Sequence, residues 1–519
     1  MSKVISAKEA AALVKDGSTL GVGGFVGSGV PEELLIALKE RFLESKSPRD
    51  LTLFHTAAVG DGKTRGCNHL GHEGLVKKLY CAHIGLEPEL NKLTVGNKIS
   101  TFMVPQGVTS HLLRAIAGGK VGVLTHVGLK TFADPRLEGC RANEAARASG
   151  EDIVELHTLC GKEQLLYKSF PINICFIKAS YGDTNGNLSL VEEGTHGDQL
   201  EMAAAVHNSG GIVIAQVNKI VAPGSLPAQE VKVHSVMVDY VVEGKAENNV
   251  QFFLFPEYRK ECAGSVRIPA GAIAAEPLTV RKIIGRRGAF ELKPNTLVNL
   301  GIGIPDSVAG VAGEEGFADK ITLSIESGIL GGVPLPGVGI GGSTNPVAMY
   351  KHPDIFDVYD GGGIDLSCLG AAQIDPMGNV NVSKFGGRVV GPGGFVNISQ
   401  NAKKVCFCGT FTAGKAEYDI KDGKLTIVKD ADGIKFVKEV EQVSFSGDYA
   451  IQSGQAILFI TERAVFALTP KGIMLTEIAP GVDLEKHILA KMEFKPLIAD
   501  KLKTMDPRIF KEERMGLSL

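Results

Sequence analysis

The chain repeats itself. "DGSTLGVGGFVGSGVPEEL" begins at Asp16 and "KPNTLVNLGIGIPDSVAGVA" at Lys293; both run from a turn through Thr-Leu and an apolar strand to Gly-x-Gly, then Pro and a helix. Further on, "YGDTNGNLSL" (181–190) and "QIDPMGNVNV" (373–382) share Asp-x-x-Gly-Asn in the same order, each followed after a gap by a strongly apolar strand. This predicts two similar open α/β domains made by internal duplication. Short Val/Ile/Leu runs between helical stretches predict sheets covered on both faces. Residues 263–279, rich in Ala, Gly and Pro and without a clear period, read as a linker. The expected division is an N-terminal domain at 1–265, a linker at 266–280 and a C-terminal domain at 281–519, opening with the helix "VRKIIGRRGAFEL".

At 519 residues the chain exceeds one ordinary hydrophobic core. A hydrophobic share of 44% with 22% charged residues fits a packed globular protein. A net charge of −3 without a long Lys/Arg run favours neither nucleic acid nor an anionic membrane as partner. No apolar stretch reaches the roughly 18 residues of a membrane span. The nine cysteines form no CxxC pair or zinc ladder, which points to reduced thiols in a cytoplasmic protein and to no metal site. "MSKVISAKEAAALVKDG" lacks an apolar signal core and reads as a helix capped by Ser6. Glycine is the unusual component, 64 residues gathered in runs such as "GVGGFVGSG", "GGVPLPGVGIGG" and "GPGGF". Such runs let backbone approach a ligand closely, although tight βα turns account for some of them.

One carboxylate stands out. In "KITLSIESGILGG" (320–332), Lys320, Thr322 and Ser324 alternate with Ile321, Leu323 and Ile325, the period of a strand that should stop near Ser327 and Gly328. Glu326 lies at its carboxyl end, where open α/β sheets bind ligands, and small residues follow. A carboxylate there is ionised at neutral pH and can attack an activated acyl group without a general base. A Gly-rich turn such as "GPGGF" could supply oxyanion donors, each worth on the order of 3 kcal/mol. A solvated strand-end glutamate fits the same spacing.

"SIESGILGG" and "DGSTLGVGGFVGSGVPEEL" resemble family I coenzyme A transferases. "HEGLVKKLYCAHIG", "PQGV", "VGLKTFADPR", "VHNSGGIVIAQV", "YDGGGIDLSCLG", "GPGGFVNIS", "FCGTFTAG", "ITERAVFAL" and "EIAPGVDL" are similar to its fused, single-chain propionate and acetate CoA-transferase branch, in family order from residue 16 to about 485. The resemblance implies the CoA-transferase/NagB–RpiA-like fold and ping-pong exchange of coenzyme A between a short-chain acyl-CoA and a short-chain carboxylate. It makes Glu326 the carrier of a glutamyl-CoA thioester, with no cofactor beyond the coenzyme A so carried. It places Gly393 and Gly394 in the oxyanion turn, Gln106 near the acyl carboxylate, Asn345 near the thioester, and Gly23, Gly24 and Phe25 in the acyl pocket wall. It also implies a homo-oligomer, a tetramer. Simpler readings of the same residues are a turn amide at Gln106, an Asn-Pro turn at Asn345 and a βα turn at 23–25. Ile325-Glu326-Ser327-Gly328 departs from the wider family's Ser-Glu-Asn-Gly but fits the fused branch. An acyl-CoA hydrolase of the same fold and a non-catalytic CoA-binding protein are the competing classes.

Other signals carry less. "GVGIGG" (337–342) matches G-x-G-x-x-G but lacks the strand before and helix after that a dinucleotide site needs. "RKIIGRRG" (281–288) reads as a solvated basic helix face, with contact to CoA phosphates as the alternative. His69, His72 and His83 read as surface or packing residues, and Cys406 and Cys408 as small core residues on one strand face.

Overall fold

The computed structural model describes residues 2–269 and 276–519, so residues 270–275, in the expected linker, lie outside the described residues. The chain packs as two compact units. The first comprises Met1–Ile268, Ile325–Asp357 and Gly386–Gly394; the second comprises Pro269–Ser324, Val358–Phe385 and Phe395–Leu519. The first crossing, after Ile268, falls inside the expected linker, but the later crossings depart from a single cut, and Glu326 belongs to the first unit. Apolar burial explains why. Leu335 joins Phe252 and Cys262 in one cluster, and Ile340 packs against Phe25, Val26 and Ala57 in another.

In the first unit, seven parallel strands run in the order Ser100–Met103, Val76–Cys81, Leu51–Phe54, Thr19–Val22, Ile174–Asp183, Ile212–Val221 and Tyr240–Glu243. Near-continuous apolar strands such as Ile174–Asp183 suit a sheet covered on both faces. The helix Glu32–Ser45 buries Leu34, Leu35 and Leu38, one stripe at helical spacing. The expected N-terminal helix forms at Ala7–Ala12 as a capping box, with Ser6 and Glu9 satisfying each other's backbone amides.

The second unit repeats this frame. Strand Thr296–Leu300 lies parallel to both Ile321–Ile325 and Leu366–Leu369, as Thr19–Val22 does to Leu51–Phe54 and Ile174–Asp183. Lys404–Cys408 and Ala456–Ile460 continue it in parallel, then Ala464–Thr469 and Gly472–Ile478 in antiparallel. The shared Asp-x-x-Gly-Asn motif folds identically in both copies. Asp183 accepts from Asn185 N–H (3.0 Å), Asn187 N–H (2.9 Å) and Asn187 Nδ2 (2.8 Å). Asp375 accepts from Met377 N–H (2.9 Å), Asn379 N–H (3.0 Å) and Asn379 Nδ2 (2.8 Å).

The basic helix differs from its expected solvated face. In Val280–Ala289, Lys282, Arg286 and Arg287 are all buried. Lys282 pairs with Glu314 at 2.8 Å, Arg287 with Glu477 and Glu291 at 2.7 Å each, and Arg286 donates to the carbonyls of Ile509 (3.2 Å) and Glu513 (2.9 Å). These charges are committed to internal acids and to the C-terminal segment, which their sequence spacing does not reveal. Cys406 and Cys408 are buried core residues as expected. All nine cysteines are free thiols, with only Cys160 exposed. Among the described residues no helix is long and apolar enough to cross a membrane.

Candidate active site

Glu326 directly follows the strand Ile321–Ile325, as expected, and is partly buried. Burial pushes its carboxyl pKa up; its own backbone amide and the nearby His352 pull the other way. The segment after it turns through Gly328 (φ +106°), where a Cβ would collide with the Tyr350 carbonyl. An antiparallel ribbon follows, pairing Ile329 with Met349 and Leu330 with Ala348. Tyr350 N–H donates to Gly328 O (2.8 Å), carrying the ribbon back toward the turn. The chain returns past this turn to His352, which acts electrostatically on Glu326.

Behind His352 lies a buried polar chain. Its Nδ1 is 2.6 Å from Asp198 Oδ2, and its Nε2 is 2.9 Å from Gln106 Nε2. Asp198 also accepts from Thr56 Oγ1 (2.5 Å) and from Ser110 Oγ. Burial alone would raise the Asp198 pKa, but His352, Ser110 and Thr56 outweigh it and hold the carboxyl below the usual range. Gln106 opens the helix Gln106–Ala117 and its backbone N–H donates to Gly393 O (3.1 Å). Phe25 is buried and meets His352 edge-on, ring centroids 5.7 Å apart.

Thus Gln106, Phe25 and Gly393 are brought together with His352. Gly23 and Gly24 form the turn before Phe25; a Cβ on Gly23 would come 2.6 Å from Gln199 Oε1, so that turn is close-packed. Within the expected oxyanion turn, the Gly393 amide donates to Ala82 O (2.9 Å) and is therefore committed. Among the described residues the Gly394 amide has no acceptor in the protein, so it is a donor the turn offers. Asn345 is spent elsewhere. With φ +58° it clamps Ile268, accepting from its N–H (3.0 Å) and donating to its carbonyl (2.8 Å), which matches the turn reading rather than a ligand contact.

His83 borders the same turn: a Cβ on Gly393 would lie 3.9 Å from His83 Cδ2. Burial, with a contribution from His55, pushes the His83 pKa down to about 4. Its Nδ1 accepts the Gly85 N–H (3.1 Å), so the neutral ring carries its proton on Nε2. His69 lies 2.9 Å from Glu32, a packing role as expected. "GVGIGG" contains the short 3₁₀ turn Gly337–Gly339 between the paired strands Val333–Pro334 and Ser343–Thr344. Among the described residues no group of three or more His, Cys, Asp or Glu side chains is gathered to hold a metal.

Sequence reasoning missed Asp198 and His352. Asp198 precedes the helix Gln199–Asn208 and reads as an N-cap, yet its side chain makes no cap hydrogen bond because the carboxylate is turned to His352. "KHPD" at 351–354 gives no spacing signal that would link it to a residue 154 positions earlier.

The coenzyme A transferase family profile matches residues 4–244. The chain is 46% identical to caffeate CoA-transferase of Acetobacterium woodii, covering 100% of this chain and 99% of that protein. It is 39% identical to acetate CoA-transferase YdiF of Escherichia coli K12, over 99% and 96%. The structure of the Escherichia coli O157:H7 acyl-CoA transferase YdiF, in a thioester complex with CoA, superposes with a TM-score of 0.94 at 38% identity, covering 100% of this chain and 98% of that one. The two-unit α/β architecture and full-length identity together place this chain in the coenzyme A transferase family.

Proposed function

We propose that the protein exchanges coenzyme A between a short-chain acyl-CoA and a short-chain carboxylate, with Glu326 as the covalent carrier. The Glu326 carboxylate attacks the acyl carbonyl and expels CoA thiolate, leaving a mixed anhydride. The thiolate then attacks the glutamyl carbonyl, releasing the free acid and leaving an enzyme–CoA thioester. An incoming carboxylate reverses the two steps and leaves as its own CoA ester. The observation that carries this reading is the desolvated Glu326 carboxyl at a strand end followed by small residues. Desolvation raises the energy of the free carboxylate and keeps water from the thioester. The Gly394 amide is the proposed oxyanion donor, Gln106 a contact to the acyl carboxylate, and Gly23, Gly24 and Phe25 the acyl pocket wall. Coenzyme A is a substrate here, and the steps need no resident cofactor.

Support comes from the relative solved as a thioester with CoA. Two relatives named for acetate and caffeate make these acids the first acceptors to test. Mixing acetyl-CoA with propionate or caffeate should yield the new CoA ester with total thioester conserved. Consumption of acetyl-CoA without a new ester would indicate a hydrolase and sink the proposal. We further propose a cytoplasmic homo-oligomer, a tetramer, in keeping with the free thiols; sedimentation velocity at micromolar protein should give four copies, and a monomer would contradict it.

A further inference from the structure

We propose that Asp198 and His352 form a positioning dyad that sets the orientation of the Gln106 amide beside the Gly393 turn. The inference rests on the transferase reading above. Its basis is donor and acceptor accounting in a buried chain, where each polar atom needs its partner. Asp198, Gln106 and His352 are all nearly inaccessible to solvent.

An ionised Asp198 only accepts, so the proton it shares with His352 sits on Nδ1. In the neutral ring Nε2 is then an acceptor, and the group that Gln106 can offer it is an amide N–H. That choice fixes the other end of the amide. Oε1 turns toward the Gly393 turn, where a Cβ built on Gly393 would lie 3.5 Å from it. Gln106 is thereby held twice, by its backbone N–H on Gly393 O and by its side chain on His352. Thr56, just after strand Leu51–Phe54, and Ser110, on the helix that Gln106 opens, also hold Asp198, so the acid cannot turn away without leaving hydroxyls unpaired. The remaining polar capacity of the Gln106 amide is thus presented in one orientation, and neither Asp198 nor His352 is required to touch substrate.

The test separates positioning from mere packing. His352→Asn keeps a donor for Asp198 but removes the acceptor for Gln106, whereas His352→Gln can place a carbonyl where Nε2 was. We expect His352→Asn and Gln106→Leu each to lower kcat/KM for the acceptor acid by up to about 100-fold, the scale of a misplaced positioning group. The double variant should lose no more than the worse single one, and His352→Gln should recover a large part of the loss. Losses that multiply in the double variant, or an unchanged kcat/KM in His352→Asn, would overturn the proposal. If His352→Asn lacks a cooperative thermal transition, Asp198→Asn replaces it in the same cycle, since an Asn there can stabilise the other tautomer and reverse the amide. Trapping of CoA on wild-type Glu326 reports separately on the transferase reading.

Discussion

In the first copy of the repeated frame, strand Leu51–Phe54 runs into His55, Thr56 and Ala57; in the second, Ile321–Ile325 runs into Glu326. The registers make the positions equivalent. Thr19 pairs with Thr52 and its counterpart Thr296 with Ile321; Ala57 and Glu326 each stand five residues further along. Ala57 is fully buried, in a cluster with Phe25 and Val26. Its neighbour Thr56 donates to Asp198, which holds His352. Equivalent strand ends have therefore taken different tasks: one presents the carboxylate, and the other buttresses the residues beside it. The repeated frame offers the geometry twice, and under the proposed mechanism the side chain at this one position decides which copy performs the chemistry.

The largest effect follows from removing the acid. Glu326→Ala or Glu326→Gln should lower exchange at least about ten-thousand-fold, as loss of a covalent nucleophile does, while the fold persists. Because burial raises the folded-state pKa of Glu326, its ionisation opposes folding above that pKa, and Glu326→Gln should raise the thermal midpoint at neutral pH but not at acid pH. Residual exchange above one part in a hundred would show that another residue carries coenzyme A. Next is the reciprocal change. Ala57→Glu adds a carboxylate where apolar side chains pack, so it should destabilise by about 3 kcal/mol and leave Glu326→Ala inactive. Recovery of exchange in that double variant would break the comparison, and urea unfolding checks the stability part.

A pH profile sharpens it further. The proposed role of Glu326 requires its ionised form, so kcat/KM for acyl-CoA should fall as pH drops through a pKa above the ordinary glutamate value. The His83 pKa is pushed down to about 4 by burial, in the opposite direction from Glu326. An acid limb at or below the value for free glutamate would contradict the assignment. The smallest effect concerns the paired turns. Burial opposes ionisation of both Asp183 and Asp375, but Asn187 and the amides of 185 and 187 prevail at Asp183, which sits below the usual range, whereas Asp375, with Glu439 nearby, sits above it. Asp183 thus contributes stability above the unfolded pKa that is lost as pH falls through its lower folded value; ionising Asp375 has the opposite sign. At pH 7 Asp183→Asn should cost about 1 kcal/mol, and more than Asp375→Asn. Equal costs in urea titrations would indicate that the two turns are energetically alike.

Much of this was legible in the sequence where the signal is local. The alternation of 320–325 marks the strand that ends at Glu326, and the two Asp-x-x-Gly-Asn stretches mark turns whose hydrogen bonds prove the same in both copies. What stayed hidden depends on partners distant along the chain. The charges of Lys282 and Arg287 look solvated until Glu314 and Glu477 arrive. Asn345 looks like a ligand contact until Ile268 takes both ends of its amide, and the Gly393 amide looks available until Ala82 accepts it. Asp198 carries no local signal, since its carboxylate is claimed by His352, far along the chain. The return of 325–357 to the first unit has the same origin, since Leu335 and Ile340 find their apolar partners there.

The most direct measurement is mass spectrometry of the protein digested after incubation with acetyl-CoA, with and without borohydride trapping. The account predicts a coenzyme A adduct, and its reduced counterpart, confined to the peptide carrying Glu326 and discharged by added carboxylate. Active protein with no modification of that peptide, or with the adduct on another residue, would contradict it.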